Sequence, residues 1–247
     1  MTESDKELLT VIIPCINEEE SIALTVEDVL SYEEEIDVRL ELLLIDDGST
    51  DATLDIMRAL AEEHSNVRVQ VNERNLGVGR SVMNAYEQID DASWITVVPG
   101  DNEFHFASIH KFLAVREDHD LVIGYLQNSV IRPLHRRLAS HAFATTVRFV
   151  YGLPYRNLNG MKLYRAWVYK GIEVLSGGHA YNAELLAKAV LRNPFLRITE
   201  VSFVARGRTQ GTSKAFKPRS VARAVSEFAR GRVSVNKYRS ETLNIKP

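Results

Sequence analysis

The chain has 247 residues, 45% of them hydrophobic, and a formal net charge of -3. That apolar content excludes a disordered chain and is enough to bury the core of one large domain. A single cysteine, Cys15, excludes an intrachain disulfide framework and a multi-cysteine zinc site, and its apolar surroundings read as those of a buried core thiol.

The charge is unevenly spread. From Arg206 onward, 11 Lys or Arg stand against 2 Asp or Glu, a formal +9, which leaves -12 on the 205 residues before them. A basic tail of this kind suits an anionic partner such as a pyrophosphate, a lipid phosphate or an anionic membrane surface. Nucleic acid is not expected, because the tail has few aromatics and no recognition module. The opening MTESDKELLTV lacks a basic region followed by a long apolar run. No segment approaches the roughly 20 apolar residues needed to cross a bilayer. The expectation is a cytoplasmic protein, soluble or peripheral on the cytoplasmic face of a membrane.

In chain order, Leu8 to Ile16 is an apolar, β-branched run that predicts a buried strand ended by Pro14. Glu18 to Tyr32 carries apolar residues at helical spacing. Leu40 to Ile45 is a second buried strand, ending at Asp46 and Asp47. Ser49 or Thr50 is placed to cap a helix from about Asp51 to Ala61. Val67 to Val71 is a third strand, and Gly77 and Gly79 open a helix through Tyr86. Trp94 to Val98 is a fourth strand, Phe106 to Val115 a helix and Leu121 to Tyr125 a fifth strand. Beyond it come a long helix with a basic start (Pro133 to Tyr151), a turn and short strand in YRNLNGMKLYR, and a glycine turn feeding a helix from about Asn182. A strand at Ile198 to Ala205 and a helix at Pro218 to Ala229 complete the pattern.

Alternating strands and amphipathic helices imply an α/β fold with a mostly parallel sheet flanked by helices, whose ligands lie beyond the carboxyl ends of the strands. Asp46, Asp47, Asn72, Asp101 and Glu103 all fall at or beyond such ends. A carboxylate after a strand can accept hydrogen bonds from a base or ribose, or else close a strand-end turn. Asp101 and Glu103 are two apart. In extended backbone that spacing points both the same way, as one hard divalent cation requires, with a solvated loop as the alternative. The first strand is followed by PCINEE rather than a GxGxxG turn, and no GxxxxGK[ST] occurs, which disfavours dinucleotide binding and a P-loop.

The succession VIIPCINEEESI, LLLIDDGSTD, ERNLGVGRSVMNAY and an acidic loop resembles the inverting nucleotide-sugar glycosyltransferases of the family 2 type, with a Rossmann-like GT-A domain. Within them the chain is most similar to the dolichyl- and polyprenyl-phosphate sugar synthases. The resemblance implies donor contacts at Pro14, Asn17, Glu18, Asp46, Asp47, Asn75, Gly77, Arg80 and Gly100. It puts Pro99-Gly100-Asp101 where the family has Asp-x-Asp, leaving Asp101 as the principal ligand of Mg²⁺ or Mn²⁺, with Glu103 beside it. RPLHRRLASHAF resembles an acceptor-phosphate helix, implying Arg136 and Ser140 as acceptor contacts. GGHAYNAELL matches a glycine-to-Glu-Leu-Leu element that includes Glu184, and His179 in its turn is an acceptor-side candidate. RGRTQGTSK makes Arg208 and Lys214 candidates for the diphosphate, and Asp101, Arg136 and Arg208 are the implied catalytic set.

Relatives that act on sugar hydroxyls carry a late pair of acidic residues as general base. No such pair of adjacent acidic residues follows Gly177, where Glu184 is the one candidate, and this favours an already ionised acceptor phosphate. The implied domain runs over residues 1–215, donor half about 1–125 and acceptor half about 126–215, followed by a basic helix and tail at 216–247. The implied function is transfer of a sugar from a nucleoside-diphosphate sugar to a polyprenyl or dolichyl phosphate. The alternatives are transfer to a hydroxyl of a soluble metabolite or glycan, and a non-catalytic sugar-nucleotide-binding protein. Arg219, Arg223, Arg230 and Arg232 are expected to lie against anionic lipid.

Overall fold

In the computed structural model, which describes residues 6–127, 134–156, 158–178, 180–206 and 218–244, seven strands form one sheet. The elements are β1 (Leu8–Cys15), α1 (Ile22–Leu30), β2 (Arg39–Asp46), α2 (Thr53–Glu63), β3 (Val67–Val71), α3 (Val78–Tyr86) and β4 (Trp94–Val97). Then follow α4 (Ile109–Leu113), β5 (Leu121–Leu126), α5 (Leu134–Tyr151), β6 (Lys162–Arg165), α6 (Tyr181–Arg192), β7 (Ile198–Phe203) and α7 (Pro218–Asn244).

The strand order is β3-β2-β1-β4-β6-β5-β7, and only β6 runs against its neighbours. The central strands read as continuous apolar runs because each feeds two cores. Leu9, Val11 and Ile13 of β1 join Leu42 and Leu44 of β2 on the face covered by α1, α2 and α4. Ile12, Leu43 and Ile45 point to the opposite face, against Val82 and Tyr86 of α3 and Leu185 and Leu186 of α6. This is the mostly parallel, helix-flanked α/β sheet that the sequence implies. Its order reverses between β1 and β4, which opens a crevice at their carboxyl ends.

Several expected boundaries are corrected. β1 runs through Pro14 to Cys15, which pairs with Asp46. Ile12 O, facing β4, takes the last hydrogen bond on that side, from Val98 N. The N–H that Pro14 lacks points the same way, past the end of the β4 pairing, so nothing is lost. Neither Ser49 nor Thr50 caps α2. Asp51 instead accepts the Thr53 N–H at 3.0 Å, while Ser49 Oγ accepts the Asn17 N–H at 3.0 Å. The helix expected at Phe106 to Val115 is a 3₁₀ turn, Phe106–Ser108, followed by the short α4. The final helix extends well past Ala229, to Asn244, and packs on α6 and α5.

Candidate active site

Glu18, Asp46, Asp51 and Asp101 surround Cys15 where β1, β2 and β4 end. Asp46 is 2% exposed, and both its oxygens accept the Ser49 N–H at 3.3 Å. Asn17 holds a left-handed backbone, φ 54°, and its Oδ1 accepts the Thr50 N–H at 2.8 Å, so it ties the loop after β1 to the loop after β2. Glu18 accepts the Ser21 hydroxyl at 2.9 Å. Between these loops, burial pushes the Cys15 thiol well above its ordinary pKa, and the charges of Glu18, Asp46, Asp101 and Asp51 push it further. A thiol so held is inert. Gly100 packs so closely on its sulfur that a side chain there would overlap it, and Gly100 O accepts the Thr25 hydroxyl at 3.1 Å.

Asp47 has a different task from Asp46. It is 4% exposed, and its two oxygens accept Asn72 Nδ2 (2.9 Å), Ser81 Oγ (2.8 Å), Leu76 N (2.9 Å) and Gly77 N (2.9 Å). With four donors aimed at it, the carboxylate shapes the turn that starts α3. Asn75 Oδ1 shares the Gly77 N–H at 2.9 Å. Gly77 itself has φ 85° and lies so near Gly177 O that a Cβ would sit 2.6 Å from it.

The acidic loop does not have the extended backbone that the spacing of two suggested. Asn102 is left-handed, φ 52°, and the Glu103 N–H bonds back to Asp101 Oδ1 at 3.2 Å. The loop is zipped to the end of β7, with Arg206 N donating to Glu103 O at 2.8 Å. The Arg206 guanidinium reaches Asn102 Oδ1 at 2.7 Å and Asp28 of α1 at 2.5 Å. Sequence reasoning missed this clamp, because Arg206 and Asp28 are 178 residues apart. Among the described residues no group of three or more His, Cys, Asp or Glu is placed to hold a metal by itself. Mg²⁺-type ions typically take one or two carboxylates and complete their shell with substrate phosphate and water, so Asp101 with Glu103 fits a cation shared with a diphosphate.

Beside the α3 turn is a cavity of about 180 Å³ lined by Leu76, Arg80, Ser176, Gly177, Glu227 and Arg230. Its floor is braced from below. Glu184 is fully buried, accepts the Leu175 and Ser176 N–H groups at 3.0 Å each, and pairs with Lys188 at 2.9 Å. Burial alone would raise its carboxyl, but these donors, with Ser234, hold it below the usual range. Glu184 is therefore spent on the turn. Glu227, 4% exposed on α7, is the carboxylate that lines the cavity. The sequence reading missed it by assigning that helix to a basic tail.

Of the acceptor-side candidates, Ser140 is exposed on α5, and Arg136 shares that helix but its side chain lies outside the described residues. His179, Arg208 and Lys214 lie outside the described residues, as do the side chains of Arg219 and Arg223. Of the expected lipid-facing set, Arg230 is exposed and lines the cavity, and Arg232 is half-buried and donates to Val150 O at the end of α5. Among the described residues no helix is long and apolar enough to cross a membrane.

Residues 10–187 match the family model described as glycosyl transferase family 2. The chain is 27% identical over 210 residues to the dodecaprenyl-phosphate galacturonate synthase of Rhizobium johnstonii, a match covering 83% of this chain and 61% of that protein. It is 26% identical over 214 residues to the dolichol-phosphate mannosyltransferase of Saccharomyces cerevisiae, covering 83% of this chain and 80% of that one. In fold it is similar to glucosyl-3-phosphoglycerate synthase from Mycobacterium tuberculosis solved with Mn²⁺, UDP and phosphoglyceric acid. That likeness has a TM-score of 0.65 and 18% identity, and spans 92% of this chain and 80% of the other. The same synthase solved with Mg²⁺ and UDP gives a TM-score of 0.64 at 18% identity, over 92% and 81% of the two chains.

Proposed function

This chain belongs to glycosyl transferase family 2, and from that premise we propose that it moves a sugar, with inversion, from a UDP-sugar to a hydroxyl group of a small phosphorylated acceptor. The observation that carries the reading is the cavity at the α3 turn, whose lining includes two guanidinium side chains, Arg80 and Arg230, and the carboxylate of Glu227. Guanidinium forks match phosphate oxygens in shape and charge. A carboxylate lining the same cavity can accept the proton of a hydroxyl, and it repels a bare phosphate. Phosphoglyceric acid, bound in the solved synthase of like fold, has this chemistry: a phosphate next to a hydroxyl.

On the donor side, Asp46, Asn17 and Glu18 receive the base and ribose, and the turn shaped by Asp47 presents the N-terminus of α3 to the diphosphate. Asp101, with Glu103 beside it, would hold a divalent cation, Mg²⁺ or Mn²⁺, which would supply positive charge to offset that of the departing diphosphate. The remaining work of the protein is to hold acceptor and donor in line for a single displacement.

A second reading, transfer to a polyprenyl phosphate, is supported by the names of the sequence relatives. It is also supported by the exposed surface of α5, where Leu134, Leu138 and Phe149 stand among Arg137 and Arg148. An assay with UDP-glucose and Mn²⁺ separates the two, offering 3-phosphoglycerate in one arm and undecaprenyl phosphate in the other. The lead reading expects product in the first arm. Product in the second arm alone would replace it with the lipid reading, and UDP-sugar binding without any product would make the chain a binding protein.

A further inference from the structure

We infer that Glu227, carried into the site by α7 from beyond the stretch matched to the family, is the base that takes the proton of the acceptor hydroxyl. This inference rests on the proposed hydroxyl acceptor and adds the residue that activates it.

Three observations carry it. The first is placement. Glu227 lines the same cavity as Arg80, whose helix begins at the turn clamped by Asp47. The carboxylate lies directly over Gly178, so that a Cβ there would be 2.6 and 2.7 Å from its two oxygens. The bare glycine backbone is what admits the carboxylate to the cavity wall.

The second is elimination. Glu184, the acidic residue nearest the family's element, has its oxygens committed to Leu175, Ser176 and Lys188 in a fully buried position. It has no access to an acceptor.

The third is rigidity. Ser234, two turns along α7, bonds Lys188 at 2.6 Å, and Lys188 bonds Glu184, which braces the Leu175–Ser176 backbone. Ser176 Oγ then returns to Glu227 O at 3.4 Å. Gly231, between them, lets the helix approach until a Cβ would overlap the Tyr151 hydroxyl. A base is effective only when its position is fixed, and this chain of contacts fixes Glu227 relative to the cavity floor.

In the step itself the acceptor oxygen bonds to the anomeric carbon as the bond from that carbon to the diphosphate oxygen breaks. The bonding pair leaves on the diphosphate, and the hydroxyl proton ends on a Glu227 oxygen.

The test needs no knowledge of the true acceptor, because water is the simplest hydroxyl. UDP release from UDP-glucose with Mn²⁺ is measured for the full chain and for Glu227→Gln, with 3-phosphoglycerate and without it. Alongside, UDP affinity is measured by calorimetry and folding by thermal melt. A lost base costs at least about 100-fold in rate, with UDP affinity and the melt unchanged. Glu227→Ala should be as slow, and added formate should restore part of its turnover by supplying a free carboxylate. Two results overturn the inference while leaving the enzyme reading intact. One is Glu227→Gln turnover within about twofold of wild type. The other is a slow Glu227→Ala that formate does not rescue, which marks a packing role. If the wild-type chain turns over no UDP-sugar under any condition, the function itself fails and takes this inference with it.

Discussion

Gly231 sits mid-helix in α7, where exposed glycine would normally be replaced by alanine with a gain of about 1 kcal/mol. Here the sign should reverse. A Cβ at 231 would overlap the Tyr151 hydroxyl and stand 3.1 Å from Ser176 Oγ and 3.4 Å from Glu184 Oε2. Overpacking of this kind costs about 1–3 kcal/mol, so Gly231→Ala should lose about 1 kcal/mol net. Tyr151 is 6% exposed, and its hydroxyl has no hydrogen-bond partner among the described residues, so removing that oxygen should cost little. In a Tyr151→Phe background the new methyl takes the vacated space, and Gly231→Ala should then stabilise by about 0.5–1 kcal/mol. Urea denaturation of the four proteins gives a coupling of about 1.5–2 kcal/mol, within the range found for residues in contact. A Gly231→Ala that stabilises the Tyr151 protein by about 1 kcal/mol would refute the seating of α7 on α5 and on the 175–178 turn. It would also remove the third support for the role given to Glu227.

Other consequences can be measured separately. Asp47→Asn keeps the shape but replaces one acceptor oxygen with an NH₂ facing the Gly77 N–H, and weakens the other bonds. About 2–4 kcal/mol of stability should be lost in denaturant titrations, with UDP affinity falling too; loss of neither would mean the α3 turn does not depend on it. Arg206→Ala should release the acidic loop and weaken Mn²⁺ binding in the presence of UDP about tenfold by calorimetry, since two of its contacts are charge-assisted. Unchanged Mn²⁺ affinity would separate the clamp from the cation. Burial lowers the Lys162 ammonium to about 7, and among the described residues it donates to the carbonyl oxygens of Leu158 and Gly160. Between that value and the ordinary lysine range the unfolded chain holds the extra proton, so this group makes stability rise with pH. The slope approaches about 1.4 kcal/mol per pH unit. Lys162→Met should flatten that rise between about pH 7 and 10, and an unaltered slope would contradict the burial.

Much of the fold was legible because its signals are local. β1 and β2 announce themselves as unbroken apolar runs because both their faces are buried. The residues at their ends, Asn17 and Asp46, follow from knowing that ligands gather at the carboxyl edge of such a sheet. The division of labour between Asp46 and Asp47 was not legible. Adjacent residues at a strand end point to opposite sides, and which one meets four donors depends on Asn72, Leu76, Gly77 and Ser81 folding back onto it. The acidic loop was not legible for a related reason: a spacing of two in sequence does not reveal the left-handed Asn102 or the bridge from Phe104 to Ala205 beyond β7.

The amino-acid sequence by itself determined the strand and helix succession, the parallel sheet and the crevice with its carboxylates. These follow from the period of apolar side chains and from turn chemistry, both of which act over a few residues. The tertiary structure alone decided which carboxylate lines the cavity beside the α3 turn. Glu184 and Glu227 look alike in the sequence, and the former has the better local context. Their roles separate only when α7 docks. Lys188, Leu175 and Ser176 then consume one carboxylate inside the protein, and the bare backbone of Gly178 admits the other to the cavity. The burial that encloses one acid and sets another at a cavity wall is a property of distant segments brought together, and no local pattern encodes it.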